Sequence, residues 1–209
     1  MSRPTPRIAR LAAWIAIPAA LVASGLVVSQ ASYSAFSSTT ANPTSNWTAG
    51  SVALTDDDGG TTADGSTGAA MFQATNLKPG STGSKCIAVT STGSLASAVK
   101  LYSSSYSTTK ALGDNITLNI TQGTGGGFGS CTGYTPAQGA AGAVYSGTVA
   151  GLSTAATNYG NGVGTWATVG GTTPEVRTYQ VTYTVNAAAT NAQQGGTAAI
   201  ALTWEAQNS

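Results

Sequence analysis

Asp114-Asn115-Ile116-Thr117-Leu118-Asn119-Ile120-Thr121 alternates polar and apolar residues without a break. Ile116, Leu118 and Ile120 fall on one side of a period-two pattern, and Asn115, Thr117, Asn119 and Thr121 on the other. Such a stretch is a half-buried strand, with its aliphatic face on a core and its hydroxyl and amide face toward water.

The same reading extends in both directions. Upstream, Ser84 to Thr90 (SKCIAVT) places Ile87 and Val89 opposite Cys86, Ala88 and Thr90, which suits a strand inside a sheet or between layers. Leu95 to Tyr102 (LASAVKLY) alternates in the same way. A first strand is expected from Trp47, where Val52 and Leu54 share a face, and Asp56-Asp57-Asp58-Gly59-Gly60 should end it. Ala70-Met71-Phe72-Gln73-Ala74 reads as a short second strand before the turn Asn76-Leu77-Lys78-Pro79-Gly80. Downstream come Ala143 to Val149, Val176 to Val185 and Ala198 to Glu205. In Val176 to Val185, the set Arg177, Tyr179, Val181, Tyr183 and Val185 is the core face. Leu152 to Gly171 reads as a long connection holding one helical turn, with Tyr159 and Trp166 as apolar anchors. About eight strands joined by Gly-, Pro- and Asp-rich turns, with no convincing amphipathic helix, give an all-β, jelly-roll-like sandwich.

Residues 1–34 stand apart from that body. Arg3, Arg7 and Arg10 precede Leu11 to Val28, an uncharged apolar run, and small residues follow. This is the pattern of a cleaved signal peptide. An uncleaved membrane anchor is the other reading, since the apolar run could nearly cross a bilayer. Cleavage would leave residues 35–46 as an extended N-terminal arm ahead of a domain over residues 47–209. It would also leave Lys78, Lys85, Lys100, Lys110 and Arg177 against seven acidic residues, a balance of about −2. So few and scattered basic residues give no nucleic-acid-binding stripe.

Cys86 and Cys131 are the only cysteines, and in an oxidising compartment an even pair reads as one disulfide. A link of this span would stabilise the fold by about 3–4 kcal/mol. Free thiols or a metal site are the rival reading, but the chain has no histidine to complete a soft metal site.

The lack of histidine also removes the histidine-based triads and zinc-peptidase motifs, and Ser and Thr have no candidate base. No catalytic residue is therefore assigned, and the protein is expected not to be an enzyme. Asp56, Asp57, Asp58 and Asp64 around Gly59 and Gly60 offer oxygen ligands suited to Ca²⁺. Their spacing is not that of an EF-hand, and a solvated acidic turn explains them as well. Tyr159, Trp166, Tyr179, Tyr183 and Trp204 could stack on sugars or fill a core poor in leucine, and strand spacing favours the core.

Several segments together resemble the TasA/camelysin family of bacterial biofilm-matrix and cell-surface proteins. They are Tyr33-Ser34-Ala35-Phe36 at the leader's end, Trp47-Thr48-Ala49-Gly50-Ser51-Val52-Ala53-Leu54, and Phe72 through Asn76-Leu77-Lys78-Pro79-Gly80. Val89-Thr90-Ser91-Thr92-Gly93-Ser94-Leu95 and the closing Gln194-Gly195-Gly196 to Trp204-Glu205-Ala206-Gln207 complete the likeness, which is thin over residues 105–175. The resemblance implies export by a dedicated signal peptidase and a jelly roll whose arm enters the next subunit's sheet. The donor would begin Ala35-Phe36-Ser37 and run to about Asn46, with Trp47 counted among the donor-strand residues. It thus implies a secreted fibre subunit that partners with itself in an extracellular matrix or at a cell surface. A monomeric adhesion or carbohydrate-binding module on a surface polysaccharide is the alternative. A camelysin-like peptidase is disfavoured by the missing histidine.

Overall fold

The computed structural model of the protein describes residues 49–60 and 68–208. The leader, the donor arm with Ala35, Phe36 and Ser37, the expected strand start at Trp47, and Asp64 lie outside the described residues.

The period-two segments become the strands of two antiparallel sheets. One sheet has the order β1 (Leu54–Asp56), β2 (Thr82–Ser91), β8 (Glu175–Val185), β4 (Ile116–Thr124), with β5 (Thr135–Pro136) and β6 (Ala143–Thr148) sharing the far side of β4. The other has the order β7 (Val163–Thr168), β3 (Ser97–Thr108), β9 (Ala198–Asn208). Their inner faces meet in one core, with Ile87, Val89, Ile116, Leu118, Ile120, Tyr179, Val181 and Val185 opposite Val99, Leu101 and Trp166. Among the described residues the result is a β-sandwich with one short α-helix, α1 (Val149–Ala155). The alternation in β4 is realised as read: Ile116, Leu118 and Ile120 are buried, while Thr117 and Asn119 are exposed. Burying each such aliphatic side chain is worth about 1.5–3 kcal/mol.

Four sequence expectations change. Ala70 to Ala74 forms no strand; this irregular segment still packs Met71 and Phe72 against the core, with the Phe72 ring edge-on to Tyr183 at 5.2 Å. The long connection after Leu152 contains β7, whose Trp166 and Thr168 are buried, as well as the helix and a 3-10 turn at Tyr159–Asn161. β3 runs well past Tyr102, because a bulge between Ser103 and Ser105 resets its phase against β9. The extra residue brings Tyr106 opposite Ile200. β1, in turn, continues through Asp56 instead of stopping before it, and Val52 is exposed.

Cys86 and Cys131 are disulfide-bonded, with Cα atoms 5.1 Å apart. Cys131 sits in the Gly-rich loop after β4, so the bond anchors that loop to β2, two strands away. The loop reaches the outer edge of β2, where the Gly129 amide donates to the Cys86 carbonyl at 2.9 Å. Thr178 lies on the outer face of β8, between the two anchor points, and is only 1 % exposed. The loop therefore lies across the upper part of that face.

Candidate functional site

Unpaired backbone at a sheet edge is where another chain can add, so each edge of the sandwich is informative. β1 is a three-residue strand that covers β2 only from Val89 to Ser91. Next to it, Asp57 takes over: its carboxylate accepts from the Ala88 amide at 2.8 Å and from the Phe128 amide at 2.7 Å. One side chain thus stands in for strand backbone and ties the disulfide loop to the edge. At the opposite side, β4 is covered by β5 and β6, with a register shift between Ile120 and Thr121. β7 is short and carries Gly164 at φ 70°.

β9 differs from all of these. It pairs with β3 from Ala198 to Asn208, eleven residues, and among the described residues no strand lies on its other side. It has no proline or lysine, and Glu205 is its only charge. That carboxylate lies toward β3, accepting from the Tyr102 hydroxyl at 3.0 Å and from Gln207 at 2.8 Å. Burial, then the bond to Glu205, pushes the Tyr102 phenol above its ordinary value. The inward residues of β9, Ile200, Leu202, Trp204 and Ala206, are half-buried, unlike their β3 neighbours Val99 and Leu101. Trp204 reaches Tyr179 at 5.2 Å, and burial raises the Tyr179 phenol far above its usual range.

A cleft of about 720 Å³ opens at one end of the sandwich, over a floor of Leu77, Leu112, Ile116 and Val185. Asn76 to Pro79 form part of one wall, and Gln194, Gly195 and Gly196 part of another. Two segments distant in sequence thus meet at one place. The first is held by a tight turn: the Ser81 amide donates to the Lys78 carbonyl at 2.9 Å, with Pro79 at the second position and Gly80 at φ 81° in the third.

The other residues singled out from the sequence are placed as follows. Asp56 ends β1, and its side chain accepts from the Asp58 amide; the Asp58 side chain accepts from the Gly60 amide. With Asp57 turned to Ala88 and Phe128, no group of three His, Cys, Asp or Glu side chains able to hold a metal converges among the described residues. Trp166 and Tyr179 are buried, Tyr183 and Trp204 half-buried, and the Tyr159 hydroxyl donates to the Ala98 carbonyl at 3.0 Å. These five rings form no exposed stacking platform. Both glutamates are engaged structurally, Glu175 by accepting from the Val169 and Gly170 amides at 2.7 and 3.0 Å. Among the described residues no helix is long and apolar enough to cross a membrane. The open edge itself was missed from the sequence, because the pattern identifies strands but not their neighbours.

No protein-family model matches the chain, and no curated protein matches its sequence.

Proposed function

We propose that this protein is a secreted, non-catalytic structural subunit of an extracellular surface or biofilm-matrix fibre. In this reading a dedicated signal peptidase frees residues 35–46, and the arm of one copy adds to the outer edge of β9 in the next by donor-strand complementation. The sandwich is then a jelly roll completed by its neighbour. The observation that supports this best is β9: an eleven-residue edge with one charge and half-buried apolar side chains beneath it. Main-chain hydrogen bonds along such an edge supply affinity, and alternate side chains entering the sandwich supply register.

The test compares purified protein beginning at Ala35 with protein beginning at Trp47, by negative-stain microscopy and sedimentation. The longer form is expected to build fibres and the shorter to stay monomeric with the same folded signature. Fibres of equal yield from both, or monomers from both at high concentration, would sink the proposal.

A further inference from the structure

The outer face of the six-stranded sheet is a second surface with a definite chemistry. Reading across the strands, Thr82, Thr184, Thr117 and Thr148 stand in one row, and Ser84, Thr182, Asn119 and Ser146 in the next. Within each row neighbouring residues sit about 4.8 Å apart from strand to strand, and the two rows lie about 6.7 Å apart along the strands. Every one of these eight positions carries a hydroxyl or an amide, and none carries a charge.

This lattice lines an open depression of about 320 Å³ formed by Thr117, Asn119, Thr121, Ser146, Gln180, Thr182 and Thr184. The disulfide-anchored loop closes its upper end. Tyr134 stands at that boundary, its hydroxyl 2.9 Å from Thr121 Oγ1. Some hydroxyls pair with each other, Thr82 with Thr184 at 3.2 Å and Ser84 with Thr182 at 3.0 Å. The side chains of Thr117, Asn119 and Ser146 are exposed and that of Gln180 is half-buried, and none of the four makes a hydrogen bond to a described residue.

Threonine is common on the wet side of a strand, but such a side is ordinarily dotted with Lys and Glu. A face that is both free of charge and walled at one end selects for a neutral partner. Each threonine presents a methyl beside its hydroxyl, and Asn and Gln present a donor and an acceptor together. A sugar chain carries the complementary set, C–H patches between hydroxyls that both donate and accept. The depression is shallow and open at its lower end, which suits a length of polymer lying across strands more than an enclosed small molecule. We propose that this face binds a neutral polysaccharide chain. The site does not depend on β9 or on the N-terminal arm, so it stands whether or not the protein forms fibres.

The test uses the disulfide-bonded protein mixed with microcrystalline cellulose, chitin or cross-linked dextran, with depletion from the supernatant measured at low salt and in 0.5 M NaCl. Retention on at least one polymer is expected, unchanged by salt. Asn119→Lys with Thr184→Lys should lower that retention at least tenfold, while Ala167→Lys, on the exposed face of β7 in the other sheet, leaves it intact. Asn119→Ala with Gln180→Ala, which adds no charge to disturb folding, should lower it at least threefold. No retention on any of the three polymers, equal retention by both face variants, or retention lost in salt would overturn the proposal. Adsorption to polycrystalline ice without retention on a polymer would overturn it as well.

Discussion

Asp56 shows how one side chain can set the response of an edge to pH. Its register with Val89 turns its carboxyl to the inner face of the sheet, beside the seam between the layers. Burial first, then the neighbouring Asp58 and Asp57, pushes that carboxyl up to about 6. A carboxyl whose folded value exceeds its unfolded one keeps its proton longer in the native state. The folded state therefore gains as pH falls from about 6 toward the ordinary carboxylate range, and carries a constant cost above that window. Half exposed to water, the group is screened, and the effect is about 1 kcal/mol or less. Asp56→Asn preserves the acceptor for the Asp58 amide and removes the charge. It should raise the urea midpoint at about pH 7.5 and leave it unchanged at about pH 4, each measured against the parent protein. Equal gains at both values would mean that packing, not ionisation, separates the variants. Asp57 lies next to it with the opposite task, because its charge is matched by two backbone amides.

At the scale of elements, the segment between β1 and β2 contributes through side chains instead of strand pairing. No described residue hydrogen-bonds the backbone of Ala70 to Leu77, yet Met71, Phe72 and Leu77 all pack on the core. Phe72→Ala should cost about 2 kcal/mol, roughly half the value for a fully buried phenylalanine, read from the urea midpoint. A loss below about 0.5 kcal/mol would show that the Phe72–Tyr183 contact does not seat the segment. That segment also marks the limit of sequence reading. Its apolar pair resembles a strand, but β2 is already flanked by β8 on one side and by β1, Asp57 and the disulfide loop on the other. β4 and β8 were legible because their buried and exposed residues alternate cleanly. β7 was not, because glycines at 162 and 164 interrupt its pattern, and α1 offers only Val149 and Leu152 as a buried pair. The pairing of Cys86 with Cys131 could be read from count alone. The open edge of β9 could not, since it follows from which strands become neighbours.

At the scale of the whole molecule, charge is as informative as shape. Charged residues make up 7 % of the chain, and residues 35–209 balance near −2. Copies of such a protein repel one another weakly. If the subunits join as proposed, the join rests on main-chain hydrogen bonds and on apolar side chains entering the seam above Ile200, Leu202 and Trp204. Neither contribution is screened by salt, whereas ion pairs at an exposed interface lose most of their strength once the Debye length shrinks to about 3 Å at 1 M. Fibre yield from protein beginning at Ala35, measured by sedimentation, should therefore stay constant or rise modestly between about 0.05 and 1 M NaCl. Urea, which solvates both peptide and apolar groups, should dissolve the fibres instead. Fibres that fall apart in high salt would place the binding energy in charge pairs, and β9, with Glu205 its single charge bound within its own sheet, could not then be the joining edge.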